Sequence, residues 1–168
     1  MQLMRDLWSL IKSRQTALLL FTGIAGYASA ADPAGGWAPL IGALLTTISG
    51  ATVLNMVYDR DIDRLMARTK NRPLAAGRLS PAPALALGIA LSGGGLVWAF
   101  AEDALFGLVI LAGWFLDAVV YTVWLKRRTP WSMVWGGISG GMPALAGRTL
   151  ALRSEEHTSE LQSRQYLV

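Results

Sequence analysis

Five apolar runs, each about as long as a membrane is thick, limit this chain more than any other feature. Residues 16–31, TALLLFTGIAGYASAA, are apolar, and with the preceding Leu7-Trp8-Ser9-Leu10-Ile11 they form a first run of roughly 7–30. The others occupy 38–58, 82–101, 104–125 and 131–151. A helix of about 20 residues crosses about 30 Å of hydrocarbon. None of the runs shows the strict alternation of a barrel strand. The expected fold class is therefore all-α: a polytopic helical membrane protein. Ala28-Ser29-Ala30 resembles a signal-peptide cleavage site. Because more spans follow at once, an uncleaved first helix is the better reading. The connections are short: a turn at Asp32-Pro33 to Gly36, a longer loop at 59–80, Glu102-Asp103, and Lys126 to Pro130.

Charge is distributed unevenly over these connections. The first 15 residues (Arg5, Lys12, Arg14), the 59–80 loop and Lys126-Arg127-Arg128 are basic. The connections at 31–37 and 102–103 carry only acids. All three basic segments fall on one side after an even number of crossings, which by the positive-inside rule is the cytoplasm. The expected location is the bacterial cytoplasmic membrane, with the N-terminus inside. There is no cysteine and a single histidine, His157. Disulfides, thiolate metal sites and multi-histidine metal sites are thereby excluded. No nucleic-acid partner is expected; the lipid bilayer is.

At the end of the second run the sequence reads Asn55-Met-Val-Tyr-Asp59-Arg-Asp61-Ile-Asp63-Arg64. On a helix Asn55, Asp59 and Asp63 drift only about 40° per step and share one face. Two carboxylates and an amide at a membrane edge are costly without a cation or another strong partner. Mg²⁺ is usually held by one or two carboxylates together with phosphate oxygens. A solvated, salt-bridged helix end would give the same periodicity. Asp61 points away from Asp63 and is expected to pair with Arg60 or Arg64. Arg68, Lys70 and Arg72 follow, and Lys126 and Arg127 lie on the same membrane side; all could clamp a diphosphate. Basic cytoplasmic loops also arise for topology alone. Asp117, inside the fourth run with Tyr121 one turn on, is either a functional intramembrane acid or a buried hydrogen-bonding partner. Trp98, Trp114, Trp124, Trp131 and Trp135 read as interfacial anchors and packing.

From Arg153 the character changes. Arg-Ser-Glu-Glu-His-Thr-Ser-Glu-Leu-Gln-Ser at 153–163 back-translates, with permitted codons, to a sequencing-library adapter read in frame. Tyr166-Leu167-Val168 is compatible with the adapter segment after a short index. The expected organisation is a membrane domain over 1–152 followed by an adapter-derived tail at 153–168, with the native chain running on beyond Leu152 in its source.

Asn55-x-x-x-Asp59-x-x-x-Asp63 resembles the first aspartate-rich motif of the UbiA superfamily of intramembrane prenyltransferases. The longer strings NMVYDRDIDRLMARTKNRPLAAGR at 55–78 and YTVWLKRRTPWSMVWGGISGGMPALAG at 121–147 resemble its haem O synthase branch. The resemblance covers nearly all of 1–152. It implies a bundle of nine membrane helices, of which about five are encoded here. It also implies Mg²⁺ as cofactor, held by Asn55, Asp59 and Asp63, with Asp59 and Asp63 as the catalytic pair. Diphosphate contacts would come from Asn55, Arg68, Arg72, Lys126 and Arg127. The implied reaction transfers a farnesyl group from farnesyl diphosphate to the vinyl group of haem b, giving haem O. The family's second acidic motif lies beyond residue 152, so the chain as written is expected to be inactive. Two competing expectations are a sister prenyltransferase with an aromatic or lipid acceptor, and a non-catalytic membrane protein or transporter.

Overall fold

A computed structural model describes residues 6, 8–11, 13–30 and 36–165, with the side chains of Ser13 and 154–165 outside the description. Arg5, Lys12, most of the 31–36 turn and Tyr166-Leu167-Val168 also lie outside it. Among the described residues the chain is helical, without strands. The helices are α1 (Ser13–Ala28), α2 (Trp37–Leu65), α3 (Pro81–Glu102), α4 (Ala104–Trp114), a π-helix (Phe115–Leu125) and α5 (Ser132–Gln165).

Each apolar run has its helix, but two boundaries moved. The first run breaks at Ile11, whose carbonyl accepts from the Thr16 hydroxyl at 2.6 Å, and α1 starts only at Ser13. The second run does not end at residue 58; α2 continues to Leu65 and carries the whole acidic stripe. By length and composition α2, α3 and the joined Ala104–Leu125 helix can each cross a membrane. The described α1 has 16 residues, about 24 Å of rise. The fifth run is diluted by glycine and Arg148.

The fourth run is the main departure from regular α-helix. From Phe115 the backbone closes five-residue turns: the Lys126 amide donates to the Tyr121 carbonyl at 2.9 Å. The Thr122 hydroxyl likewise reaches the Asp117 carbonyl, at 2.8 Å. Such widened turns occur mostly at functional sites. Nothing in the apolar sequence of 115–125 breaks a helix, so this feature has no sequence signal.

α2 is the most buried element, with α3 along one side and α1 and the π-helix on others. Small residues let backbones touch, as expected where lipid removes the hydrophobic drive for helix pairing. A Cβ at Gly50 would meet Ser92 and the Gly88 carbonyl; one at Gly26 would meet the Ala144 carbonyl of α5. Outward positions such as Phe21, Ile89, Val97 and Leu108 are exposed apolar side chains, which suits a lipid-facing surface. Two buried clusters lie at opposite ends. Tyr27, Leu40, Leu44, Phe106, Ile110 and Leu150 form one. Leu10, Val53, Met56, Leu74 and Ala84 form the other, just beneath the acidic stripe.

The residues from Arg153 to Gln165 continue the α5 helix. Arg153 approaches Asp103 at 3.9 Å, and Asp103 also caps α4 by accepting from the Phe106 amide.

Replacing Gly26 by Leu should cost about 1–3 kcal/mol through overpacking. Gly94→Leu, where a Cβ meets nothing within 4 Å, should be close to neutral. Denaturant unfolding in detergent compares the two.

Candidate functional site

The acidic stripe is buried, not solvated. Asn55, Asp59 and Asp63 are 6%, 5% and 5% exposed and lie on one face of α2. A buried carboxylate needs a compensating partner, and each has one from a different element. Lys126, just after the π-helix, places its ammonium against Asp59 Oδ2 and donates to Asn55 Oδ1 at 3.1 Å. Arg72, from the loop after α2, donates to Asp63 Oδ2 at 2.7 Å. The second oxygen of Asp59, Oδ1, is buried with no hydrogen-bond partner.

The loop that delivers Arg72 is itself tied down. The Thr69 hydroxyl donates to the Asp63 carbonyl at 3.0 Å, and Arg64 Nε donates to the Ala75 carbonyl at 3.0 Å. Gly77, at φ +73°, makes the left-handed turn that an L side chain rarely adopts. Arg78 then reaches back to Asp6, giving Nε and Nη2 contacts of 3.0–3.2 Å to a buried carboxylate. Leu74 tucks under the loop into the cluster around Val53 and Met56. With the Lys126–Asp59 pair, these ties gather the loop after α2, the segment after the π-helix and Asp6 at one end of the bundle.

One expectation needs correction. Asp61 does not pair with Arg60 or Arg64: its exposed carboxylate takes the Arg127 guanidinium in a two-pronged contact at 2.7 and 3.0 Å. Arg127 reaches Asp61 because the π-helix brings residue 127 across to α2. Arg127 also donates to the Tyr58 carbonyl at 2.7 Å and lies 4.3 Å from the Tyr58 ring centre. The Tyr58 hydroxyl donates in turn to the Val123 carbonyl. Arg127 is thus fastened to α2's outer side, away from the stripe, and the Asp61 hydrogen bond raises its pKa above the usual arginine value. Arg68 is exposed and, among the described residues, makes no ion pair. Asn55, Asp59, Asp63, Arg72 and Lys126 therefore converge, whereas Arg68 and Arg127 stand apart.

On the membrane side of the stripe, one turn along α2, lies a cavity of about 260 Å³ between α1, α2, α4 and α5. Leu18, Leu44, Ile48, Ile110, Met142 and Pro143 make its walls largely apolar. Asp117 lines it, as do Thr47 and Trp114, whose Oγ1 and Nε1 are buried with no hydrogen-bond partner. Trp114 is thus a cavity wall, unlike the exposed Trp124 and Trp131. Sequence reasoning missed Thr47 and Trp114 in this role; a polar atom in an apolar helix was the only signal. Tyr121 turns elsewhere, with its ring against Gly136 and 5.3 Å from the Lys126 ammonium.

The residues present fit half of a divalent-cation site. Asp59 offers a buried, unused oxygen, and Asp63 and Asn55 add oxygens on the same face, as a hard cation prefers. Among the described residues no three acidic or histidine side chains converge. Carboxylates at the bundle end, basic side chains around them and an apolar cavity below define a helical membrane protein suited to an anionic head with an apolar tail.

A family model described as the UbiA prenyltransferase family matches residues 19–156. The chain belongs to that family. It is 46% identical over 149 residues to a protein of Thermofilum pendens named protoheme IX farnesyltransferase, covering 85% of this chain and 51% of that one. Proteins of the same name from Archaeoglobus fulgidus and Gluconacetobacter diazotrophicus are each 43% identical, with 88% and 85% of this chain and 53% and 46% of theirs covered. The chain spans about half the length of the curated relatives it matches. A solved structure of a UbiA homolog from Archaeoglobus fulgidus bound to GPP and Mg²⁺ superposes with a TM-score of 0.70 at 19% identity. The match covers 87% of this chain and 54% of that one, which establishes the fold.

Arg72→Ala should destabilise the protein by about 1–3 kcal/mol, because it leaves a buried Asp63 oxygen unpaired. Arg127→Ala, whose partner Asp61 is exposed, should cost less. Thermal unfolding in detergent ranks the two.

Proposed function

We propose that this chain forms the diphosphate-binding half of a Mg²⁺-dependent prenyltransferase that moves a farnesyl group from farnesyl diphosphate to the vinyl group of haem b. The observation that carries this reading is the buried Asn55–Asp59–Asp63 face, with the buried and unpaired Oδ1 of Asp59, flanked by Lys126 and Arg72 above an apolar cavity. The names of the relatives and the GPP and Mg²⁺ held by the solved homolog support it.

In this reading Asp59 and Asp63 carry the metal, with Asn55 adding a neutral oxygen or binding phosphate directly. Bound Mg²⁺ would neutralise charge that develops on the diphosphate as it leaves. Among the described residues, Lys126 and Arg72 are the basic side chains that touch the stripe and could share that task. Arg127 acts one step removed: its grip on Asp61 and Tyr58 fixes the chain that carries Lys126. Leu18, Leu44, Ile48 and Ile110 house the apolar chain and keep water from the reacting carbon. Water exclusion matters because an allylic cation would otherwise be quenched. In this reading the site faces the cytoplasm, which the positive-inside rule supports through the basic 59–80 loop and Lys126-Arg127-Arg128.

The tail at 153–168 has no part in this reading, and we assign it to adapter sequence. An uncontaminated read beyond codon 152 should restore a second aspartate-rich motif and about four more spans; an intact stop there would refute the assignment.

Asp59→Asn and Asp63→Asn should each weaken Mg²⁺-dependent binding of farnesyl diphosphate by about 10–100-fold, a range seen even when only a ligand's supporting partner is lost. Calorimetry on the detergent-solubilised chain measures this. Unchanged binding would point to a transporter or scaffold. The 168-residue chain should bind but not farnesylate haem. In the longer protein, product analysis with haem b and with aromatic or lipid acceptors fixes the acceptor.

A further inference from the structure

We infer that Lys126 is a resident counter-ion of the acidic stripe that changes partners when the ligand arrives. Without ligand it neutralises Asp59; with ligand it is handed to the diphosphate. The inference rests on the reading that this stripe takes a divalent cation and a diphosphate.

Three observations carry it. The Lys126 ammonium already sits where a cation is wanted, against Asp59 Oδ2 and Asn55 Oδ1. A divalent cation taking the open Asp59 Oδ1 adds positive charge to a carboxylate that already holds this ammonium, and in a site this buried the like charges repel strongly enough to drive the arm off. Its base is also held independently of its tip. Arg127 is clamped to Asp61 and Tyr58, so the backbone at 126 stays in place while the four-carbon arm of Lys126 is free to swing. Finally, the stripe repeats the arrangement once: Asp63 is neutralised by Arg72 from the other loop. Both buried carboxylates are thus paired with side chains that can also bind phosphate oxygens.

The consequence is coupling. Metal alone must break the Lys126–Asp59 pair and leave an ammonium without a partner. Diphosphate supplies the missing partner, so metal and diphosphate each bind better in the presence of the other. The pair of cations acts as a guard that admits the metal–diphosphate complex in preference to free metal.

Acylation of lysines in the full chain in detergent, followed by mass spectrometry, reads the partner of Lys126 directly. Exposed Lys70 serves as internal reference. Lys126 should be protected without ligand, become reactive with Mg²⁺ alone, and be protected again with Mg²⁺ and inorganic diphosphate. In parallel, Lys126→Met should bind Mg²⁺ alone about fivefold or more tightly than the unaltered chain, and lose most of the strengthening that diphosphate gives. A Lys126 as reactive as Lys70 without ligand, or one that stays protected with saturating Mg²⁺, overturns the exchange. So does a Lys126→Met chain that binds Mg²⁺ no better than the original. If the unaltered chain binds Mg²⁺–diphosphate yet fails these tests, only the exchange falls. If it binds neither, the reading of the site falls with it.

Discussion

Two carboxylates held at the edge of hydrocarbon must be neutralised, and most of this protein's polar architecture follows from that requirement. An unpaired carboxylate there would cost more than a helix could offset by packing. Asp59 and Asp63 lie on one helix, yet their cations come from two separate connections. Each pairing fixes a segment that would otherwise be loose. Asp63 holds the loop after α2 through Arg72 and Thr69. Asp59 holds the end of the π-helix through Lys126. The stripe that would bind a ligand also organises the bundle end that must receive one.

The same arrangement accounts for features that look unrelated in sequence. Residues 126 and 127 follow the π-helix, and as neighbours on a helical turn they meet α2 at different faces. One turns inward to Asp59 and the other outward to Asp61. Adjacent basic residues thereby acquire different roles, one at the ligand and one as a fastening. The Arg78–Asp6 contact extends this logic to the N-terminal segment, which closes the loop's far end.

Much of this could be read from the sequence, for definable reasons. The apolar runs give helix number because hydrocarbon thickness sets a length. The four-residue spacing of Asn55, Asp59 and Asp63 gives a shared face because helix geometry is fixed, and α2 bears that out over all three. The loop after α2 and the segment at Lys126-Arg127, both basic in sequence, do meet at one end of the bundle. Partner choice was less legible. Asp61 has Arg60 and Arg64 nearby in sequence, but takes Arg127 from 66 residues away. Only tertiary structure can bring that about. The cavity-lining role of Thr47 and Trp114 was hidden for a related reason: helix propensity and hydropathy do not say which face of an apolar helix meets a void. The run at 115–125 has no proline or glycine to announce its changed winding.

α1 and α5 grip one another through glycines: the Gly26 backbone lies against Ala144 and Gly147 against the Gly23 carbonyl. Among the numbered helices, α1 is made first and α5 last. During synthesis α1 therefore enters the bilayer with its glycine groove filled only by lipid, and it waits there while three further helices are made. Until α5 inserts and docks, the groove stays open and the cavity, which both helices wall, has no closed shape. The order of translation thus delays the enclosure of this cavity at least until α5 is in place.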